Sequence, residues 1–183
     1  MSTAASPPLS ENAVLPVIVM GVSGCGKTSV GEGLAAALNC RFVEGDSLHP
    51  PANIEKMSAG IPLTDEDRWP WLDIIGQLIG ESVERNEMIV VSCSALKKAY
   101  RDRLRAEAGG RLAFVFLDGS REVLEGRMKA RAGHFMPPSL LDSQFATLEP
   151  PIGEPCVITV DVDQSLAEII DKALAGLQDL PVR

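Results

Sequence analysis

Basic side chains are scarce in this 183-residue sequence: 17 Lys and Arg stand against 25 Asp and Glu, a net charge of −8. A sequence-independent nucleic-acid binder carries a basic footprint, so this balance argues against one. Long apolar runs are missing too. The longest near the N-terminus, Val14 to Val22, is interrupted by Pro16 and falls far short of the ~20 residues a membrane span needs. No basic segment precedes it, which argues against a secretory signal. Cys25, Cys40, Cys93 and Cys156 form no C-x-x-C pair, and the two histidines match no zinc spacing. They read as free thiols of a reducing, cytoplasmic compartment.

With 45% apolar residues, a chain of this length buries roughly 70% of its unfolded surface as one domain. Residues 1–13 are small, polar and proline-bearing and read as a disordered leader before a single domain over 14–183. Short runs rich in Val, Ile and Phe predict strands at Pro16–Met20, Arg41–Glu44, Met88–Ser92, Leu112–Leu117 and Cys156–Val160. Their unbroken apolar character suits a parallel sheet covered on both faces. Helical spacing predicts helices at Lys27–Leu38 (with Asn39 as a left-handed cap), 71–86, Lys97–Ala108 and Ser120–Arg131, and one after the capping box Ser165–Glu168. Alternating strands and helices imply an α/β fold with a mostly parallel five-stranded sheet flanked by helices in three layers.

The sharpest chemical signal is Gly21-Val22-Ser23-Gly24-Cys25-Gly26-Lys27-Thr28, with Ser29 next. It matches G-x-x-x-x-G-K-[ST] between a predicted strand and a predicted helix, the setting a phosphate-binding loop requires. Glycines let backbone N–H groups turn toward phosphate oxygens, and the helix start adds positive potential. Lys27 reaches the β- and γ-phosphates of ATP, and the Thr28 hydroxyl is placed to ligate Mg²⁺. Cys25 lies near a helix start that would lower a thiol pKa, though a small side chain facing away from the phosphates is the simpler reading.

The next segment separates kinases from switches and motors. Asp46 follows the second strand, at the carboxyl end where ligands of parallel sheets bind, and suits a base that orients an attacking hydroxyl. His49, Lys56 and Arg68 are its cations, and Arg68 offers the fork a carboxylate needs. Arg127 and Arg131, four apart on one predicted helix face, suit closure over a γ-phosphate; Gly133-His134 is a candidate hinge. The third strand ends without an aspartate, leaving Thr28, phosphates and water for Mg²⁺, with Asp46 close by.

The phrase GDSLHPPANIEKMSAGIPLTDEDRWPWL resembles the signature of the gluconokinase family, small P-loop sugar-acid kinases of nucleoside monophosphate kinase-like fold. Residues 92–105, 127–137 and 140–150 resemble its third-strand motif, its lid and the segment after the lid. The resemblance implies phosphoryl transfer from ATP to the 6-hydroxyl of D-gluconate, a mobile lid over about 127–140, and a homodimer. It adds Ser94, Lys97 and His134 as substrate neighbours. It also gives meaning to the middle of the chain, where residues 97–131 carry ten basic against five acidic side chains. This basic island spans the stretch where an anionic nucleotide and a sugar acid would meet. Two alternatives stay open: a kinase of a similar acid such as shikimate, and a nucleotide-binding regulator without catalysis.

Overall fold

The computed structural model describes residues 15–130 and 138–181, so the expected leader and the 131–137 part of the expected lid lie outside the described residues. Five strands form one sheet in the order β2-β3-β1-β4-β5, every pair parallel. They are β1 (Val17–Met20), β2 (Arg41–Glu44), β3 (Ile89–Ser92), β4 (Ala113–Asp118) and β5 (Val157–Asp161). The helices are α1 (Lys27–Ala37), α2 (Pro51–Ser58), α3 (Asp65–Glu84), α4 (Lys98–Glu107), α5 (Arg121–Ala130), α6 (Pro138–Thr147) and α7 (Leu166–Gln178); a 3-10 turn covers Gly45–Leu48.

The central strand explains why the strands read as unbroken apolar runs. Val17 and Val19 pack into one core layer with Val30 and Leu34 of α1 and Ile169 of α7. Ile18 and Met20 face the other layer, with Trp71, Leu72 and Ile75 of α3 and Leu104 of α4. Every residue of β1 is therefore buried although successive side chains point opposite ways.

Three elements depart from the periodicity reading. Helix α3 begins at Asp65, six residues earlier than predicted, and carries Pro70 inside it. Its start is set by a capping box: Thr64 accepts from the Asp67 N–H while the Asp67 carboxylate accepts from the Thr64 N–H. Pro70 removes an N–H that would bond back to Glu66 in the first turn, where both residues are exposed and water can serve the freed carbonyl. The others are α2 and α6, which sequence spacing leaves unassigned; α2 starts with Pro51, whose fixed φ suits the first helical position. The expected left-handed cap is present, with Asn39 at φ 51°.

Candidate active site

The carboxyl ends of β1, β2 and β3 meet at one rim, and the functional side chains gather there. Gly21 to Gly26 turn the chain from β1 into α1, with Gly24 at φ 81° and Gly26 at φ 93°, conformations that strain any residue with a Cβ. Lys27 Nζ donates to the Val22 carbonyl at 3.2 Å, and the Ser23 N–H donates to Gln144 Oε1 at 2.6 Å, tying the loop to α6. Cys25 is fully buried, and its burial pushes the thiol up, outweighing the nearby Lys27 and the loop N–H groups. The expected lowering at a helix start is thus reversed, and the side chain faces away from the phosphate side as a packing group.

A carboxylate that sequence reasoning passed over stands beside Thr28. Glu44, the last residue of β2, accepts from Thr28 Oγ1 at 2.5 Å and from Ser92 Oγ at 2.5 Å. Ser92 Oγ also accepts from the Gly45 N–H at 3.1 Å. Gly45 has no room for a side chain, because a Cβ there would lie 1.9 Å from the Ser92 carbonyl oxygen. That close approach fixes the direction in which the chain leaves β2, and it delivers Asp46 to the rim. A small cleft of about 150 Å³ is lined by Ser23, Lys27, Thr28, Glu44 and Asp46 together with the loop glycines. Its hydroxyl and carboxylate oxygens are the hard donor type that Mg²⁺ prefers. No group of three or more His, Cys, Asp or Glu forms a complete metal cage among the described residues.

A larger cavity of about 260 Å³ opens beside the cleft, and the two share Ser23, Lys27 and Asp46. Its walls bring together His49, Arg68 and Ser94, as expected, and add Gln144 of α6. His49 stacks on Trp71 with ring centroids 4.0 Å apart, and the Trp71 indole N–H donates to the Gly45 carbonyl at 2.8 Å. Burial lowers the His49 pKa, opposed by the Asp46 carboxylate and assisted by Arg68, which keeps the ring neutral. Arg68 donates to the Tyr100 hydroxyl at 3.1 Å, and Tyr100 in turn donates to Asp65. Burial, with the Asp65 hydrogen bond, pushes Tyr100 up to about 12, so it stays neutral, donating to Asp65 and accepting from the guanidinium it locates. Tyr100 had no place in the sequence reading of the site.

Other expected residues are engaged elsewhere. Lys56 binds the Asp67 carboxylate at 2.7 Å, and Lys97 binds Asp65 at 3.0 Å; neither lines the cavity. The Lys56 hydrogen bond, with the Thr64 N–H, holds Asp67 down to about 2. Arg127 opens on the opposite flank of the loop: it donates to the Val162 and Gln164 carbonyls and shares a cleft with Gly26, Ser29 and Leu166. Arg131 and His134 lie outside the described residues. The basic island is not an open positive surface. Lys98 pairs with Asp102, Arg101 and Arg105 with Glu154, Arg103 with Asp73, and Arg121 with Asp142.

Against this geometry the likenesses to known proteins are consistent. Residues 17–151 match the family model described as AAA domain. The chain is 47% identical to the gluconokinase of Gluconobacter oxydans over 162 residues, covering 88% of this chain and 90% of that one. It is 46% identical to the thermosensitive gluconokinase of Escherichia coli, covering 85% and 83%. A crystal structure of a gluconokinase from Sinorhizobium meliloti superposes with a TM-score of 0.84 at 60% identity, over 91% of this chain and 93% of that one. A phosphate-loop cleft that shares Ser23, Lys27 and Asp46 with a neighbouring cavity, on a sheet of this order and with relatives this similar over most of their length, places the chain in the gluconokinase family.

Proposed function

We propose that the chain transfers the γ-phosphoryl group of ATP to the 6-hydroxyl of D-gluconate, giving 6-phosphogluconate and ADP. The observation that carries this reading is the position of Asp46, which stands on the seam between the phosphate cleft and the acceptor cavity. A hydroxyl held in that cavity would have the carboxylate on one side and the phosphate cleft on the other, the placement of base and phosphoryl donor that transfer needs. Lys27 and the loop N–H groups hold the phosphates, and Asp46 accepts the hydroxyl proton as the new O–P bond forms. Arg68, steadied by Tyr100, takes the acceptor's carboxylate, and His49 and Ser94 take hydroxyls. Thr28 and Glu44 would hold Mg²⁺, which supplies charge neutralisation of the β- and γ-phosphates. The same family reading carries a homodimer, a cytoplasmic location and closure of the 127–140 segment, with Arg127, Arg131 and His134, over the reacting groups. Among the described residues no helix is long and apolar enough to cross a membrane.

The test is ADP release from ATP and Mg²⁺ against a panel of sugar acids and shikimate. Gluconate-dependent turnover with 6-phosphogluconate as product is the expected result; turnover with shikimate alone, or none with gluconate, overturns the reading. A second variant probes acceptor binding. Tyr100→Phe removes one hydrogen bond from Arg68, so the KM for gluconate should rise about three- to tenfold while that for ATP stays put. Steady-state kinetics with each substrate varied in turn would show it, and an equal change in both constants would remove Tyr100 from the acceptor side.

A further inference from the structure

We propose that Asn53 is a positioning residue that fixes the proton of His49 on Nε2, so that His49 and Asp46 face the acceptor cavity as a donor–acceptor pair matched to a hydroxyl group. Asn53 lies on α2 and is only 3% exposed. Its side-chain nitrogen is 2.9 Å from the Asp67 carbonyl oxygen. A backbone carbonyl only accepts, so this contact settles which end of the amide faces it. The same nitrogen is 3.2 Å from His49 Nδ1. An amide nitrogen carries two hydrogens and no lone pair to offer, so Nδ1 must be the acceptor. In a neutral imidazole the proton then sits on Nε2. A turn of the ring that would put Cδ2 in place of Nδ1 is opposed by Trp71 against its face and by its burial, the residue being 7% exposed.

The consequence appears at the cavity. His49 Nε2 is 3.9 Å from Asp46 Oδ1, too long for a direct hydrogen bond. A hydroxyl oxygen about 2.8 Å from each fits between them, accepting from Nε2–H and donating to the carboxylate. A hydroxyl has a single hydrogen. Were the proton on Nδ1, the cavity would present two acceptors and one of them would stay unserved, which is costly in a partly dry site. The helix that carries Asn53 is itself held in place: Lys56, one turn on, binds the carboxylate of the same Asp67 whose carbonyl Asn53 uses. Which hydroxyl sits there rests on the gluconate reading; the tautomer does not.

The decisive measurement is a long-range ¹H–¹⁵N correlation spectrum of the wild-type histidine rings. The chain has two histidines, so the signals lost in His49→Gln identify residue 49. The expected spectrum shows Nε2 protonated and Nδ1 bearing the lone pair; a proton on Nδ1, or one averaged over both nitrogens, overturns the proposal. In Asn53→Leu the ring should change to a mixture of tautomers. There kcat/KM for gluconate should fall about tenfold or more, with the KM for ATP within about twofold of wild type. An unchanged kcat/KM in folded Asn53→Leu also overturns it. His49→Gln, whose amide places an N–H near the Nε2 position, should retain about tenfold more activity than His49→Ala. If the wild-type protein does not turn over gluconate, the functional reading falls while the ring spectrum still decides the role of Asn53.

Discussion

Asp46→Asn is expected to lower kcat about a hundredfold or more, the usual scale for a positioned general base. Asparagine keeps the size and hydrogen-bonding reach of the side chain but cannot take a proton. The Asp46 side chain is 65% exposed and makes no contact that holds the fold together, so thermal stability should be unchanged. The KM for ATP should also stay close to wild type, because the loop N–H groups and Lys27 bind the phosphates without it. Steady-state and single-turnover kinetics with gluconate give the number. A loss of only a few-fold would mean that Asp46 merely closes the 3-10 turn after β2, where its carbonyl accepts from the His49 N–H.

Arg101→Met is expected to cost about 3–5 kcal/mol of stability, the range for removing one partner of a buried ion pair. For a domain of this size that lowers Tm by roughly 6–20 °C. Arg101 is fully buried and spends all five of its N–H donors. Nε and one Nη2 hydrogen go to the Glu154 carboxylate, the other Nη2 hydrogen to the Glu149 carbonyl, and Nη1 to the carbonyls of Ala95 and Leu96. Removing it takes a donor from the Ala95, Leu96 and Glu149 carbonyls and leaves Glu154 with Arg105, while Leu96 keeps the Glu149 N–H. Arg101→Lys, with three donors and no planar fork, should recover only part of the loss. Arg101, followed by Arg105, holds the Glu154 carboxyl below its ordinary value. A depressed folded-state pKa gives stability that is complete above the unfolded value of 4.5 and is lost as pH falls through the folded value. The acid limb of a Tm–pH curve should therefore be shallower in Arg101→Met. Calorimetry across pH 3–8 checks both points, and a Tm within a degree or two of wild type would leave the pair without net worth.

The elements that periodicity revealed are those buried on two faces or one. All five strands lie within a residue of their expected ends, because polar residues or turn formers bound each apolar run. Helix α3 begins before its apolar spacing does, because its first turn is Asp65, Glu66 and Asp67; the start is marked by Thr64 and Asp67, three residues apart. In the site, Lys27, Thr28, Asp46, His49 and Arg68 were legible since each sits in or beside a local motif. Glu44, Asn53 and Tyr100 were not. Each acts through a partner that the fold supplies: Ser92 lies 48 positions from Glu44, Asp67 lies 14 from Asn53, and Asp65 lies 35 from Tyr100. The same limit hides the partners of Lys56 and Lys97, which bind Asp67 and Asp65. A one-dimensional charge count likewise cannot show that the basic island pairs with acids brought in from other elements.

The strand order has a consequence for how the chain is made. The phosphate loop hangs from β1, and β1 is held between β3 and β4, whose last residue is Asp118. At about 5–20 residues per second, a ribosome needs roughly 5–20 s to add the ~100 residues separating the loop from that point. Until Ser92 is added β1 has neither neighbour, and from there to Asp118 it has only β3, so its four apolar residues and Cys25 wait without a complete core to enter. Lys27 is translated early and set in place late, so it is the nascent chain, rather than the folded one, that is most exposed to aggregation.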